Sequence, residues 1–394
     1  MRSIALFGAV PCLLCAQAGP VPLTFQDLQA RARPAPALNR AEAALASQRL
    51  RLQETRGGLR EGPTLGYEAG PRRAPVGPST TDQALEVDLP LIFAPGVRRR
   101  LEQRLGAAHP LMREAARRED ALQLRIAYLD AWRAERLLAL RTADLATVEA
   151  WRKVARMRVA EGADPAFQAA LVEGELMKAR LEASEARADQ ARAWSALRRW
   201  ADLPPEPLPL AEPDPLPTSP LPEVEVLRDR SPLFQALRAE TELDLQALRL
   251  EEAQARARWS LRGAYAREGD EKVARLGLAL RLPRPGENAA LRREAEARAR
   301  VRADEAALGE RELEARLQAV LARWDGPEPE PAPPDFTQAL QAVALRLSEG
   351  RERPSEALPL RRQLLEGQVA TLQHQHRRAC DAAELQAFLP EVTR

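Results

Sequence analysis

The sequence predicts a mainly α-helical protein with a small β part, in which long helical hairpins form two pseudo-repeats that carry four β-strands between them. Three observations predict this. Charged residues make up 29% of the chain and aromatics only 4%; Ala, Arg, Glu, Leu and Gln fill most segments, which suits long helices packed through narrow seams. Features of the first half recur in the second at a nearly constant offset. Short stretches of apolar–polar alternation interrupt the helical pattern at matching places in both halves.

Residues 1–18, MRSIALFGAVPCLLCAQA, have a basic start, an apolar run and a small-residue end at Ala16-Gln17-Ala18, and are read as a secretory signal peptide. The apolar run is too short to span a bilayer. Cys12 and Cys15 follow Pro11 and Leu14, which disfavours a lipid anchor. Cleavage would leave Cys380 as the remaining cysteine, so no internal disulfide is expected. An exported chain without a transmembrane helix is expected to be periplasmic, extracellular or an outer-membrane barrel. The formal net charge of +2 supplies no basic excess for nucleic acid.

The Pro-rich stretch 203–222, LPPEPLPLAEPDPLPTSPLP, cannot be helical, because proline lacks the donor and clashes with the preceding turn. It is read as an extended linker between a first repeat, 19–202, and a second, 223–394. Each repeat opens with a short helix, a proline and an amphipathic helix: 23–56 corresponds to 222–256. Two alternating segments follow in each, about 64–69 and 83–93 in the first and 258–266 and 273–282 in the second. Pro95-Gly96 then corresponds to Pro285-Gly286, offset by 190, and Gly162 to Gly350, offset by 188.

Side chains alternate across a strand, so each segment has two faces. One face gathers Leu65 and Tyr67; Leu85, Val87, Leu89 and Leu91; Trp259, Leu261 and Tyr265; and Leu276, Leu278, Leu280 and Leu282. The other carries Glu68, Glu86, Asp88 and Arg262, with small residues between. This is the pattern of a barrel with an apolar outside and a wet inside, and aromatics near the strand ends (Tyr67, Phe93, Trp259, Tyr265) suit an interfacial girdle. A soluble sheet lying over a core shows the same alternation. Four strands do not close a barrel in one chain, so several chains are needed to remove the edges.

From Val97 to Ala160 the chain reads as helix, interrupted only at His109-Pro110, where a kink is expected. Leu122, Ile126, Leu129, Leu137, Leu140, Val148, Trp151 and Val154 follow a seam at spacings of three and four. In EGADP (161–165), Gly supplies a positive φ and Pro starts the returning helix; Asp164 is read as that helix's N-cap, and with Glu161 as a possible acidic ring. The stretch WDGPEPEPAPPDF (324–336) breaks the corresponding helix of the second repeat.

Catalytic chemistry is not indicated. There is no cysteine cluster, phosphate loop or nucleophile motif. His374 and His376 are two residues apart and do not share a helical face, so they are read as solvated surface, and no metal site and no cofactor are expected.

The stretches LTFQDLQARARPAPAL, LEVDLPLIFAPGVRRR, MRVAEGADPAFQAALVEGEL and LRLSEGRERPSEALPLRRQLLEGQVATL, in this order and duplicated, resemble the TolC-like outer membrane efflux proteins over the whole mature chain. The second-half break and the ending ATLQHQHRRACDAAELQAFL are more like the outer components of heavy-metal resistance systems. The resemblance implies a homotrimer whose protomers each give four strands to a twelve-stranded transmembrane barrel, about 64–93 and 258–283. It also implies a helical periplasmic tunnel, a periplasmic adaptor and an inner-membrane pump as partners, and no catalysis. It assigns Glu161, Gly162, Asp164 and Pro165 to one adaptor-docking tip and Glu349, Gly350, Arg351 and Pro354 to the other. A periplasmic adaptor or coiled-coil scaffold is the alternative; its strands would form lipoyl-like and barrel domains around a single hairpin, whereas here the hairpin occurs twice.

Overall fold

A computed structural model of the chain describes residues 22–33, 36–54, 64–72, 80–91, 95–214, 223–256, 258–268, 271–281, 287–324, 336–349 and 351–389. The expected signal peptide, Phe93, Leu282, Pro285-Gly286, Gly350 and the end of the Pro-rich stretch lie outside these residues. The elements follow in the order α1 (Phe25–Ala30), α2 (Pro36–Glu54), β1 (Thr64–Arg72), β2 (Thr80–Leu91), α3 (Pro95–Ala160), α4 (Ala166–Arg198), α5 (Val224–Arg230), α6 (Pro232–Arg256), β3 (Arg258–Glu268), β4 (Glu271–Arg281), α7 (Glu287–Arg323), α8 (Phe336–Ser348) and α9 (Pro354–Phe388). Pro110 does not end the helix: α3 continues through it as one element of 66 residues, about 99 Å at ~1.5 Å per residue.

The chain divides into two compact units that are not the two sequence repeats. Each repeat contributes to both, because α3 and α9 each have residues in both.

The first unit gathers residues 1–33, 125–215 and 330–379. Its core joins Val148, Trp151 and Ala155 of α3, Val172, Leu176 and Ala179 of α4, Val343 and Leu347 of α8, and Ala357 and Leu358 of α9. Small alanines at these positions let four helices approach closely. Gly367 of α9 is the tightest such place: a Cβ there would lie 2.8 Å from both Cε1 and Cζ of Phe336, the first residue of α8. Gly367→Ala should therefore cost about 1–3 kcal/mol by overpacking, read as a lower urea midpoint. Adding Phe336→Leu should restore most of it.

In the same unit residues 23–33 are tied down. Thr24 and Asp27 form a reciprocal capping box on α1, which satisfies two orphan donors. Residues 203–214 of the Pro-rich stretch form neither helix nor strand, as their prolines dictate, but they are not a free tether. Leu23 N–H donates to Pro209 O at 2.8 Å and Ala211 N–H to Leu23 O at 3.0 Å. Tyr128 of α3 donates its hydroxyl to Ala211 O at 2.7 Å, and Glu135 accepts from Leu210 N at 3.0 Å. Burial first, then the nearby Asp214 and Glu135 charges, push the Tyr128 hydroxyl up to about 12, so it remains a donor at all ordinary pH.

The second unit gathers residues 34–124, 216–329 and 380–394. Leu45 and Leu52 of α2, Leu101, Leu105, Ala108 and Met112 of α3, and Leu243, Ala247 and Leu250 of α6 form its core. Asp120 of α3 accepts from the first free amides of α2, Ala37 N at 3.0 Å and Leu38 N at 2.9 Å. It thereby does the work of an N-cap from a distant position. The last turns of α9 dock here through Phe388 against Phe234, ring centroids 6.3 Å apart, and through Glu384 and Asp381 paired with Arg316 and Arg323.

The same unit holds one antiparallel sheet of order β1-β2-β3-β4. The hairpin of the first sequence half pairs directly with that of the second, through β2 and β3. Among the described residues the outer edges of β1 and β4 are unpaired.

Candidate functional site

Two features stand out chemically: the sheet in the second unit and the paired helical turns in the first. Each is described separately.

The register aligns the apolar positions into rows across the sheet. One row is Tyr67, Leu85, Tyr265, Ala274; the next is Leu65, Val87, Gly263, Leu276; the next is Leu89, Leu261, Leu278. Leu91, Trp259 and Leu280 hold the following register position. The apolar parity expected from sequence is thus one continuous face. It is not covered by the rest of the chain: Leu276 is 80% exposed, Leu65 68% and Leu278 67%. Contiguous exposed apolar surface of this kind marks a contact with lipid or another protein. The opposite parity carries Glu86, Asp88, Arg262 and Arg275, with Arg262 Nε 3.2 Å from Asp88 Oδ2.

The strands are 9, 12, 11 and 11 residues long, close to the ~9–11 residues that a tilted strand needs to cross a bilayer. Among the described residues no helix is long and apolar enough to cross a membrane, a criterion that does not apply to strands.

The turn after α3 is built by backbone chemistry. Gly162 has φ +75°, a left-handed conformation that only glycine adopts without strain. Ala163 N donates to Arg158 O at 2.8 Å and Gly162 N to Val159 O at 3.1 Å, the paired bonds of a Schellman cap. Asp164 is not the N-cap: Pro165 occupies that position without a side-chain cap bond. Asp164 instead turns back to Arg158, accepting from its Nε at 2.6 Å and Nη2 at 3.2 Å. Burying the carboxylate against a guanidinium satisfies more of its lone pairs than one backbone amide does.

The turn after α8 repeats these contacts 188 residues on. Arg351 N donates to Arg346 O at 2.9 Å, and Arg346 Nη1 lies 3.2 Å from Glu352 Oε1. Glu161, Gly162, Pro165, Glu349 and Arg351 are exposed, while Asp164 and Pro354 are buried. Gly350 lies outside the described residues.

Gln168, which sequence reasoning did not single out, joins the two turns. Its side chain accepts from Ser355 N at 3.0 Å and donates to Ser355 Oγ at 3.1 Å, capping the first turn of α9 from α4. Arg361 of α9 also escaped notice. It pairs with Asp144 of α3 and with Glu175 of α4, the latter at 2.9 Å, so one buried guanidinium links three helices. A run of arginines and glutamates in a charged sequence gives no sign of which one is buried. His376, expected on solvated surface, is part-buried and lies 2.8 Å from Asp130 Oδ1.

The hydrogen bonds from Arg158, and its charge with that of Arg353, hold the Asp164 carboxyl below its ordinary 3.8 against the opposing effect of burial. A depressed folded value contributes stability that is complete above the unfolded value and is lost as pH falls through the folded one. Below pH about 4 the amides at 161–164 should therefore lose hydrogen-exchange protection. In Asp164→Asn that protection should be lower at neutral pH and insensitive to acid.

No protein-family model matches the chain, and no curated protein matches it in sequence. Solved structures do match it. A membrane protein from Pseudomonas aeruginosa superposes with a TM-score of 0.70 at 19% identity, over 90% of this chain and 87% of the other. The outer membrane protein VceC from Vibrio cholerae gives 0.68 at 19% identity, over 92% and 95%. The CmeC outer membrane channel of Campylobacter jejuni gives 0.66 at 14% identity, over 98% and 94%. The chain has the fold of these outer membrane proteins. At these identities the likeness concerns the fold: helices, sheet and connectivity together, across nearly the full length of both partners. Within this fold, the exposed apolar rows occupy the four-stranded sheet, and the turns after α3 and α8 lead into α4 and α9.

Proposed function

We propose that the protein is the outer membrane channel-tunnel component of a tripartite efflux system, a passive conduit from a periplasmic adaptor and an inner-membrane pump to the outside. The observation that carries this reading is the four-stranded sheet with one continuous, exposed apolar face and two unpaired edges. In water such a sheet is an aggregation hazard; in a bilayer, pairing β4 of one copy with β1 of the next satisfies every backbone group. Three copies give a closed ring of twelve strands, within the size range of single-chain outer-membrane barrels. The opposite face, with Glu86, Asp88, Arg262 and Arg275, then lines a wet lumen, which spares polar cargo the cost of entering lipid.

Long antiparallel helices supply the periplasmic tunnel in this reading. The turns at Glu161, Gly162, Asp164 and Pro165 and at Glu349, Gly350, Arg351 and Pro354 are its adaptor-docking tips. The matching Arg158–Asp164 and Arg346–Glu352 pairs, 188 residues apart, favour two structural repeats within one chain, so a trimer presents six such turns. Energy comes from the pump; no residue of this chain is assigned to catalysis.

Expression with an intact export signal tests the proposal. Recovery from outer-membrane fractions only with detergent, as a trimer that dissociates on heating, is the expected result. Release as a soluble monomer by osmotic shock would overturn it.

A further inference from the structure

We propose that the open face of α4 seats a second copy of this chain, a helix of which packs along it when the copies assemble. The inference rests on the barrel reading above and adds to it a helical contact between neighbours. A seam spaced by threes and fours, the period of packed helices, runs along α4 from Phe167 through Gly174, Met177 and Leu181 to Ala188 and Ser195. Every position of the seam is exposed and none is charged. Phe167 is 57% exposed, Met177 67% and Leu181 61%. Charge is not scarce on this helix: Lys178, Arg180, Glu185, Arg187 and Arg192 are exposed off the seam. The other side of α4, with Val172, Leu176, Ala179 and Ala183, is already buried inside the chain. A surface helix of a monomer needs one apolar stripe; this one has a second.

Gly174 points the same way independently. It stands in the interior of α4, where glycine weakens a helix relative to alanine. Among the described residues nothing lies within 4 Å of a Cβ placed there, so no contact inside the unit calls for the missing side chain. A helix from outside can use that space to approach the backbone closely.

The size of the face favours a copy over a foreign partner. From Phe167 to Ser195 it is about 42 Å long at ~1.5 Å per residue, and a helix is ~10 Å wide. A footprint on the order of 400 Å² is about half of the ~800 Å² per partner that a stable interface buries. A foreign helix held by this face alone would be held weakly. A second copy is already attached through β4 and β1 in the proposed ring, so this face only has to add to an existing contact, at high effective concentration.

The test is the trimer-to-monomer ratio of the purified full chain in detergent, read by light scattering, with urea midpoints of the dissociated monomer alongside. Met177→Glu/Leu181→Glu should lower the trimer association constant by on the order of tenfold or more, because two apolar side chains lose their burial. Its monomer midpoint should not change. Gly174→Leu should raise the midpoint, leucine being the better helix former, yet lower the trimer fraction by filling the space a neighbour needs. Arg187→Gln, off the seam, should change neither. In cells, photo-cross-linking from benzoylphenylalanine placed at Leu181 should give a product of two copies of the chain.

Native trimer levels in Met177→Glu/Leu181→Glu or in Gly174→Leu overturn the inference. A lower monomer midpoint in the double variant places the face in the chain's own packing and overturns it too. So does a cross-link to a different protein, or none. In each of these cases the barrel stands. A native chain that forms no trimer in detergent overturns the barrel reading, and the inference with it.

Discussion

Replacing Leu276 by Arg is expected to abolish recovery of the protein as an outer-membrane trimer. Leu276 sits in the second apolar row, beside Gly263 and in line with Val87 and Leu65. In the single chain it is 80% exposed. For a water-soluble sheet, a charge at so exposed a place is nearly neutral, within about 0.5 kcal/mol. On the lipid face of a barrel it costs about 2–4 kcal/mol near the midplane. Three copies around one ring bring that to on the order of 10 kcal/mol, comparable with the whole stability of a domain. Ala279→Arg, of opposite parity on the same strand, should be tolerated, because in the proposed barrel that parity faces a wet lumen. The measurement is the amount of heat-dissociable trimer in detergent extracts. Equal yields from the two variants would mean that neither face meets lipid.

The second large effect is expected at Arg361. Its side chain is 4% exposed and that of its partner Asp144 is 6% exposed. The guanidinium also reaches Glu175, while its Nε is buried without a hydrogen-bond partner among the described residues. Arg361→Met should leave the Asp144 carboxylate buried and unpaired, at a cost of about 3–5 kcal/mol. Glu175 is cushioned, because Arg362 also pairs with it. The double change Asp144→Leu/Arg361→Met should return stability to within about 1 kcal/mol of the native chain, since removing both charges also removes their desolvation cost. Urea midpoints of the helical signal, taken on the two single variants and the double, read the coupling directly. An additive double variant would mean that Arg361 and Asp144 do not act as a pair.

The sheet was legible because a strand has a period of two and its large apolar residues share one parity. Leu85, Val87, Leu89 and Leu278 declare their common face without any knowledge of their partners. The turn at Gly162 was legible for a similar reason: few sequences permit a positive φ between two long helices. The role of Asp164 was misread because the local rule, an acidic residue ahead of a helix start, competes with a partner six residues back. Gln168, Asp120 and Arg361 were not legible at all. Each acts on a group far away in sequence, Ser355, Ala37 and Asp144, and nothing local distinguishes them from solvated neighbours.

By itself the sequence determined what is periodic or conformationally forced: the helical stretches, the breaks at the Pro-rich segments, the strand faces and the φ of Gly162. These follow from backbone sterics and from the mismatch between apolar side chains and water, both of which act residue by residue. Only the tertiary structure decided which strand of one half pairs with which of the other. It also decided that residues 203–214 are tied down rather than free, and which few of the many charges are buried. Those outcomes depend on distances between residues remote in the chain. A pattern of charged residues offers many nearly equivalent pairings, and packing selects one.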